Sequence, residues 1–158
     1  MPAQILINIV VAFIWMFLNE SYSFVDFFLG FLIGIFLLYM LRRFIPDAFY
    51  MERVVAAIKL VLLFIKELLY ANWDIVKIVY RPKLDVEPGI FALPTTLKSN
   101  WEITLLANLI TLTPGTLSVF VSNDNSKLYI HAMDLPDVEE GINSIKNTFE
   151  KAIREVTR

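Results

Sequence analysis

Cysteine is absent from the 158 residues, and histidine occurs once. Without thiols there are no disulfides, no thiol catalysis and no thiolate metal sites. One imidazole is too few for the usual histidine metal clusters. An excess of basic charge is also missing. The net charge of −2 leaves no electrostatic footprint for nucleic acid. Internal repeats and low-complexity tracts are lacking too. What the chain has in abundance is apolar surface. Hydrophobic residues make up 57% of it, with 13 Phe, against about 45–50% in ordinary soluble domains. Lipid is the expected solvent for the excess, and length leaves room for one small domain outside it.

Ile5 to Leu18 are apolar except for Asn8, and Asn19-Glu20-Ser21 breaks the run. After Asp26, residues Phe27 to Leu41 carry no charge. A spanning helix needs about 20 residues, within a range near 17–25. Helices over roughly 2–19 and 22–41 meet that requirement, the first only just, with Asp26 near the interface. Met1 to Gln4 has no Lys or Arg, and no small-residue cleavage site precedes a polar region. The segment is therefore expected to be retained rather than removed as a signal. Gly30 and Gly34 stand four apart, a spacing that admits another helix closely, although glycine is also simply common in membrane helices. Arg42, Arg43 and Arg53 follow the second run, whereas the turn between the runs has no Lys or Arg. Both chain ends are then expected in the cytoplasm.

Pro46 interrupts the next stretch, and a long helix is expected over 51–80. At about 100° per residue, Glu52, Lys59, Lys66, Glu67, Asp74 and Lys77 fall on one stripe about 100° wide. The rest is mostly aliphatic, so the helix is strongly amphipathic. Several charges at the bilayer centre would cost about 2.5–3.5 kcal/mol each. A helix lying on the cytoplasmic surface avoids that cost; a third span with its polar stripe against partner subunits is the alternative.

Composition changes at Arg81-Pro82, taken as the domain boundary. Phe91 to Leu93 reads as a short strand between prolines. Ser99 or Asn100 caps a helix over 101–112, with Glu102 in its first turn. Residues 116–122 and 127–133 alternate as two strands of a hairpin, with Leu117, Val119 and Val121 on one face and Leu128, Ile130 and Ala132 on one face of its partner. A last helix starts near Pro136, with Val138, Ile142, Ile145, Phe149, Ile153 and Val156 as its apolar stripe. The fold class is therefore a membrane α-helical hairpin (1–45), an amphipathic interfacial helix (46–80) and a small α+β cytoplasmic domain (81–158) in β-α-β-β-α order.

No catalytic, cofactor-binding or metal-binding residues are assigned. Thr113-Pro114-Gly115-Thr116 lacks the Lys and following helix of a phosphate loop and reads as a helix stop. Asn123-Asp124-Asn125 lacks the bidentate Glu of a calcium loop and reads as a hairpin loop. A dyad would need His131 to meet a nucleophile, and Ser118 across the hairpin is the one candidate. Lys66 beside Glu67 reads as an interfacial charge pair, and Asp26 as an interfacial carboxylate before an ion relay.

Two stretches carry a family resemblance: Ala107 through Val121, centred on Asn108-Leu-Ile-Thr-Leu-Thr-Pro-Gly-Thr116, and Tyr129-Ile-His-Ala-Met-Asp134. With the apolar hairpin and the charged amphipathic stretch, the whole chain resembles the E subunit of the Mrp-type multisubunit monovalent cation/proton antiporters of bacteria. The resemblance implies a complex in the bacterial cell membrane that exchanges sodium, and often other monovalent cations, for protons. It implies an accessory place beside the large antiporter-like subunits, with those subunits and the lipid bilayer as partners, no nucleic acid and no cofactor. The two clear spans lack the buried Lys and Glu series that a proton path needs. A freestanding membrane-tethered binding or scaffold module is the competing reading; an enzyme is not expected.

Overall fold

The computed structural model describes residues 2–45, 48–83 and 86–157; Pro46, expected to interrupt the chain, lies outside them. Contacts divide the chain into two compact units, Met1–Val55 and Ala56–Arg158. The first holds α1 (Pro2–Leu18) and α2 (Phe24–Leu41), and α3 (Tyr50–Val79) begins in it. Ser23 caps α2, its hydroxyl accepting from the Val25 N–H at 3.0 Å. Asp26 accepts from the Ser21 hydroxyl at 2.6 Å, so this carboxylate sits in the first turn, where the helix dipole favours it.

The hairpin is built on small residues. Gly30 faces Ala12 and Gly34 faces Asn8. A methyl group at Gly30 would lie 2.9 Å from the Ala12 backbone, and one at Gly34 would collide with the Asn8 carboxamide. The glycine spacing is thus a packing device here. Gln4, Asn8, Ala12 and Met16, four apart along α1, are its buried residues. The large apolar side chains, Phe13, Phe17, Phe28 and Phe36 among them, point outward and are exposed. This inverts the pattern of a water-soluble pair of helices.

The second unit carries β1 (Gly89–Pro94), α4 (Asn100–Leu112), β2 (Thr116–Val121), β3 (Lys127–Ala132), α5 (Val138–Ile145), a π-helical turn (Lys146–Glu150) and α6 (Lys151–Thr157). The strands form one antiparallel sheet in the order β1-β3-β2. Phe91, Leu93, Leu128, Ile130 and Ala132 face a core shared with Ile103, Leu106, Leu109 and Ile110 of α4 and with Phe149 and Ile153. Leu60 of α3 joins that core, and Leu63 and Phe64 pack at its border.

Two local expectations need correction. Ser118 pairs with Ile130 but Phe120 with Tyr129, so Val119 is the extra residue of a β-bulge. A bulge reverses the alternation beyond it, which puts Val121 on the core face and Phe120 on the outer face with Leu117. Pro136 precedes the last helical segment instead of opening it. Asp137 is the cap, its carboxylate accepting from the N–H groups of Glu139 and Glu140 at 2.7 and 3.2 Å. Most of the apolar surface of α4 finds cover within its own unit, against β2 and the C-terminal helical segment; Leu112 and Trp101 are left exposed.

Two buried carboxylates pin the loop from β1 to α4. Glu102 accepts from the N–H groups of Lys98 and Ser99 at 3.1 and 3.0 Å while the Ser99 hydroxyl returns the bond, a capping box. The Thr157 hydroxyl first, then these backbone groups, hold its carboxyl down at about 2. Glu150, in the π-helical turn, accepts from the N–H and hydroxyl of Thr96 at 2.9 and 2.6 Å.

Candidate interaction surfaces

Thr113 to Thr116 is a type II β-turn. The Thr116 N–H donates to the Thr113 carbonyl at 3.3 Å. Pro114 and Gly115 are the central residues, and Gly115 has φ +90°, which that turn requires at its third position. Both threonine hydroxyls serve α4. Thr113 donates to Leu109 O at 2.9 Å and Thr116 to Ile110 O at 2.7 Å, satisfying carbonyls that a helix end leaves unpaired. This accounts for both threonines without an anion. The turn abuts α3, since a methyl group on Gly115 would lie 3.4 Å from Ile75 Cδ1. Beneath it, a cavity of about 210 Å3 is lined by Phe91, Ile110, Leu135 and Phe149, with Glu67 and Asp134 at its border. Among the described residues no group of three His, Asp or Glu is arranged to hold a metal ion.

The structure separates the residues that catalysis would have needed together. Leu117 pairs with His131 and Ser118 with Ile130, so Ser118 lies on the core side and His131 on the outer side of the sheet. The Ser118 hydroxyl donates to Ala107 O at 3.0 Å, and its N–H is taken by Thr111 Oγ1 at 3.1 Å. The Asp124 carboxylate accepts from the Ser126 N–H and hydroxyl at 3.2 and 2.8 Å. The Ser122 and Ser126 hydroxyls hold it near 2, and Asn125 adopts φ 58°, as a hairpin loop of this kind requires. Lys66 and Glu67 stand 3.7 Å apart with the lysine well exposed.

What remains is surface for docking. Register across the sheet sets Ile90, His131 and Leu117 in one outer row and Ala92, Tyr129 and Phe120 in the next. Ile90, Leu117 and Phe120 are each about half exposed or more. Period-two alternation groups Leu117 with Val119 and Val121, and the bulge that instead adds Phe120 to the outer patch leaves no sequence signal. A second apolar surface runs along α3 through Ile58, Leu62, Ile65, Leu69 and Val76, all exposed. In the first unit Gln4 and Asn8 bind α1 to the start of α3. The Tyr50 N–H donates to Gln4 Oε1 at 2.9 Å, and Asn8 Nδ2 to the Tyr50 hydroxyl at 2.7 Å. Among the described residues α2 is the one helix of at least 18 residues apolar enough to cross a membrane; α1, at 17 residues, is shorter.

Comparison with known proteins gives a consistent result. Residues 8–156 match the family described as Na+/H+ ion antiporter subunit. Over all 158 residues, and the full length of each relative, the chain is 54% identical to the Na(+)/H(+) antiporter E subunit of Alkalihalophilus pseudofirmus and 50% identical to that of Bacillus subtilis. Among solved structures, a chain of the membrane-bound sulfane sulfur reductase, an archaeal respiratory membrane complex, aligns with TM-score 0.58 and 31% identity, covering 97% of this chain and 98% of that one. A chain of the Mrp complex from Dietzia sp. DQ12-45-1b aligns with TM-score 0.50 and 27% identity, covering 62% of this chain and 92% of that one.

Proposed function

Because this chain belongs to the Na+/H+ ion antiporter subunit family, we propose that it is an accessory subunit of a multisubunit sodium (monovalent cation)/proton antiporter, needed for assembly and stability of the complex rather than forming the ion path. The observation that carries this reading is the chemistry of the hairpin. In α1 and α2 the one acid or base is Asp26, at the N-terminal end of α2 and hydrogen-bonded to Ser21. The Gln4 carboxamide oxygen accepts from the Tyr50 N–H and the Asn8 amide nitrogen donates to the Tyr50 hydroxyl. A proton path needs a series of titratable groups at membrane depth, and these helices supply none. Deleting the chain and assaying sodium-driven proton movement in vesicles tests the role. We expect exchange to fall together with the amount of assembled complex. Unchanged exchange with an intact complex would refute the reading. A chain that purifies alone in mild detergent would point to a freestanding tethered module.

The same reading puts α1 and α2 across the bilayer, α3 on the cytoplasmic surface and the α+β domain in the cytoplasm. Support comes from Arg42, Arg43 and Arg53 after the hairpin and the absence of Lys and Arg from its turn. A cysteine-free chain suits single-cysteine labelling. With an impermeant thiol reagent on intact cells, Ser21→Cys should label and Ser126→Cys should not; labelling at the second position means a third span.

A further inference from the structure

The face of α3 that turns away from the α+β domain carries apolar side chains that no other element of its unit covers. Projected at about 100° per residue, Ile58, Leu62, Ile65, Leu69 and Val76 form an exposed apolar arc, which runs on to Val79. From Ile58 to Val79 it extends about 32 Å at 1.5 Å per residue. The next residues around the helix are Trp73 and then Lys66, Lys59 and Lys77, followed by Tyr70. Asp74 and Glu67 come last, beside the face that packs on the domain through Leu60, Leu63 and Phe64. The cations therefore border the apolar arc, and the acids stand behind them. The Lys66 ammonium lies 5.5 Å from the Tyr70 ring centroid and that of Lys77 5.9 Å from the Trp73 ring. Apolar stems with charged tips, next to tyrosine and tryptophan, are the composition that settles at a lipid headgroup layer.

Two faces of the same helix exclude the other environments. Residues 60–78 pack on a domain with irregular loops, and Asp74 and Lys77, ion-paired at 2.9 Å, share a depression with Asp134, Asp137 and Glu140. Loop backbone and carboxylates of this kind do not occur at lipid-exposed bilayer depth. An acidic protein surface would suit the lysines, but it would leave the aliphatic arc in water. A headgroup layer takes both.

We infer that α3 is a two-sided helix that presses its Ile58–Val79 face into the phospholipid surface, with Lys59 and Lys66 on lipid phosphates, and so clamps the α+β domain flat against the bilayer. This rests on the membrane-anchored reading above and adds the occupant, the immersed residues and the phosphate ligands. The full chain in nanodiscs containing phosphatidylglycerol tests it. Single cysteines at Leu62, Leu69 and Val76, carrying a polarity-sensitive dye, should be quenched by lipids with a nitroxide near the headgroup and little by a nitroxide at the chain end. A dye at Asp74 should be quenched by neither. The double variant Lys59→Gln, Lys66→Gln should lower the preference for spin-labelled phosphatidylglycerol over phosphatidylcholine about fivefold or more. Strong chain-end quenching at Leu69 makes α3 a span and overturns the proposal. Absence of quenching at all three positions assigns this face to a protein and overturns it as well. Neither result touches the antiporter reading, which is read separately from the subunits that copurify with the same labelled chain.

Discussion

In the hairpin, Gly30 and Gly34 leave the space that Ala12 and Asn8 fill. In the α+β domain, α4 and the C-terminal helices meet the sheet through Leu106, Ile110, Phe149 and Ile153. The first pairing brings backbones together by removing side chains and keeps its aromatic rings outside. The second fills space with large aliphatic and aromatic groups. On the proposed membrane-anchored reading, the difference follows from solvent. Apolar burial drives packing where the alternative is water. In lipid that gain vanishes, and close approach plus a few polar contacts must hold helices together. Buried polar groups divide the same way. Gln4 and Asn8 are neutral amides, while Glu102 and Glu150 are carboxylates that each hold the loop by two hydrogen bonds.

Gly34→Val is the sharpest way to break this comparison. Its Cβ would fall on the Asn8 carboxamide, so α1 and α2 must separate. At the roughly 1–3 kcal/mol typical of overpacking, recovery of assembled complex should drop about tenfold, read from the subunits that copurify. Normal recovery would mean that close approach does not hold the hairpin. In the other unit, Gly115→Val forces a branched side chain to φ +90°, a conformation costing about 1 kcal/mol or more. Assembly should fall severalfold while the cation affinity of complexes that do form stays unchanged.

Acid should distinguish the units further. The Glu102 carboxyl is lowered from 4.5 to about 2 on folding. A depressed carboxylate contributes stability in full above its unfolded value, and that contribution is lost as pH falls through the folded one. Unfolding of the detergent-solubilised chain should therefore lose stability on acidification from about pH 4.5 towards 2. Glu102→Gln should flatten that limb and cost about 1 kcal/mol near neutrality through the weakened cap. The smallest effect is expected at His131, on the outer sheet face away from Ser118: His131→Ala should leave exchange per assembled complex unchanged. Abolished exchange at normal assembly would give this face a chemical role.

Patterns of one-dimensional period were legible from residues alone. The two apolar runs, the charged stripe of α3, the helix start at Ser99 or Asn100 with Glu102 in the first turn and the Thr-Pro-Gly-Thr turn all depend on neighbours within a few positions, where backbone geometry sets which side chains meet. The register of the outer sheet face was not legible. The bulge at Val119 depends on how β2 aligns with β3, and it moves Phe120 and Val121 to opposite faces from those that alternation assigns. Gln4 and Asn8 are polar letters in an apolar run. That they grip the start of α3, over 40 residues on, is settled only when the chain returns to them in space. The division of the α3 surface has the same origin. The sequence alone determined that most of this helix is apolar. Which of its apolar residues, Leu60 or Leu62, meets the α+β core depended on where that core closed, because burial is a property of the assembled unit and not of the residue.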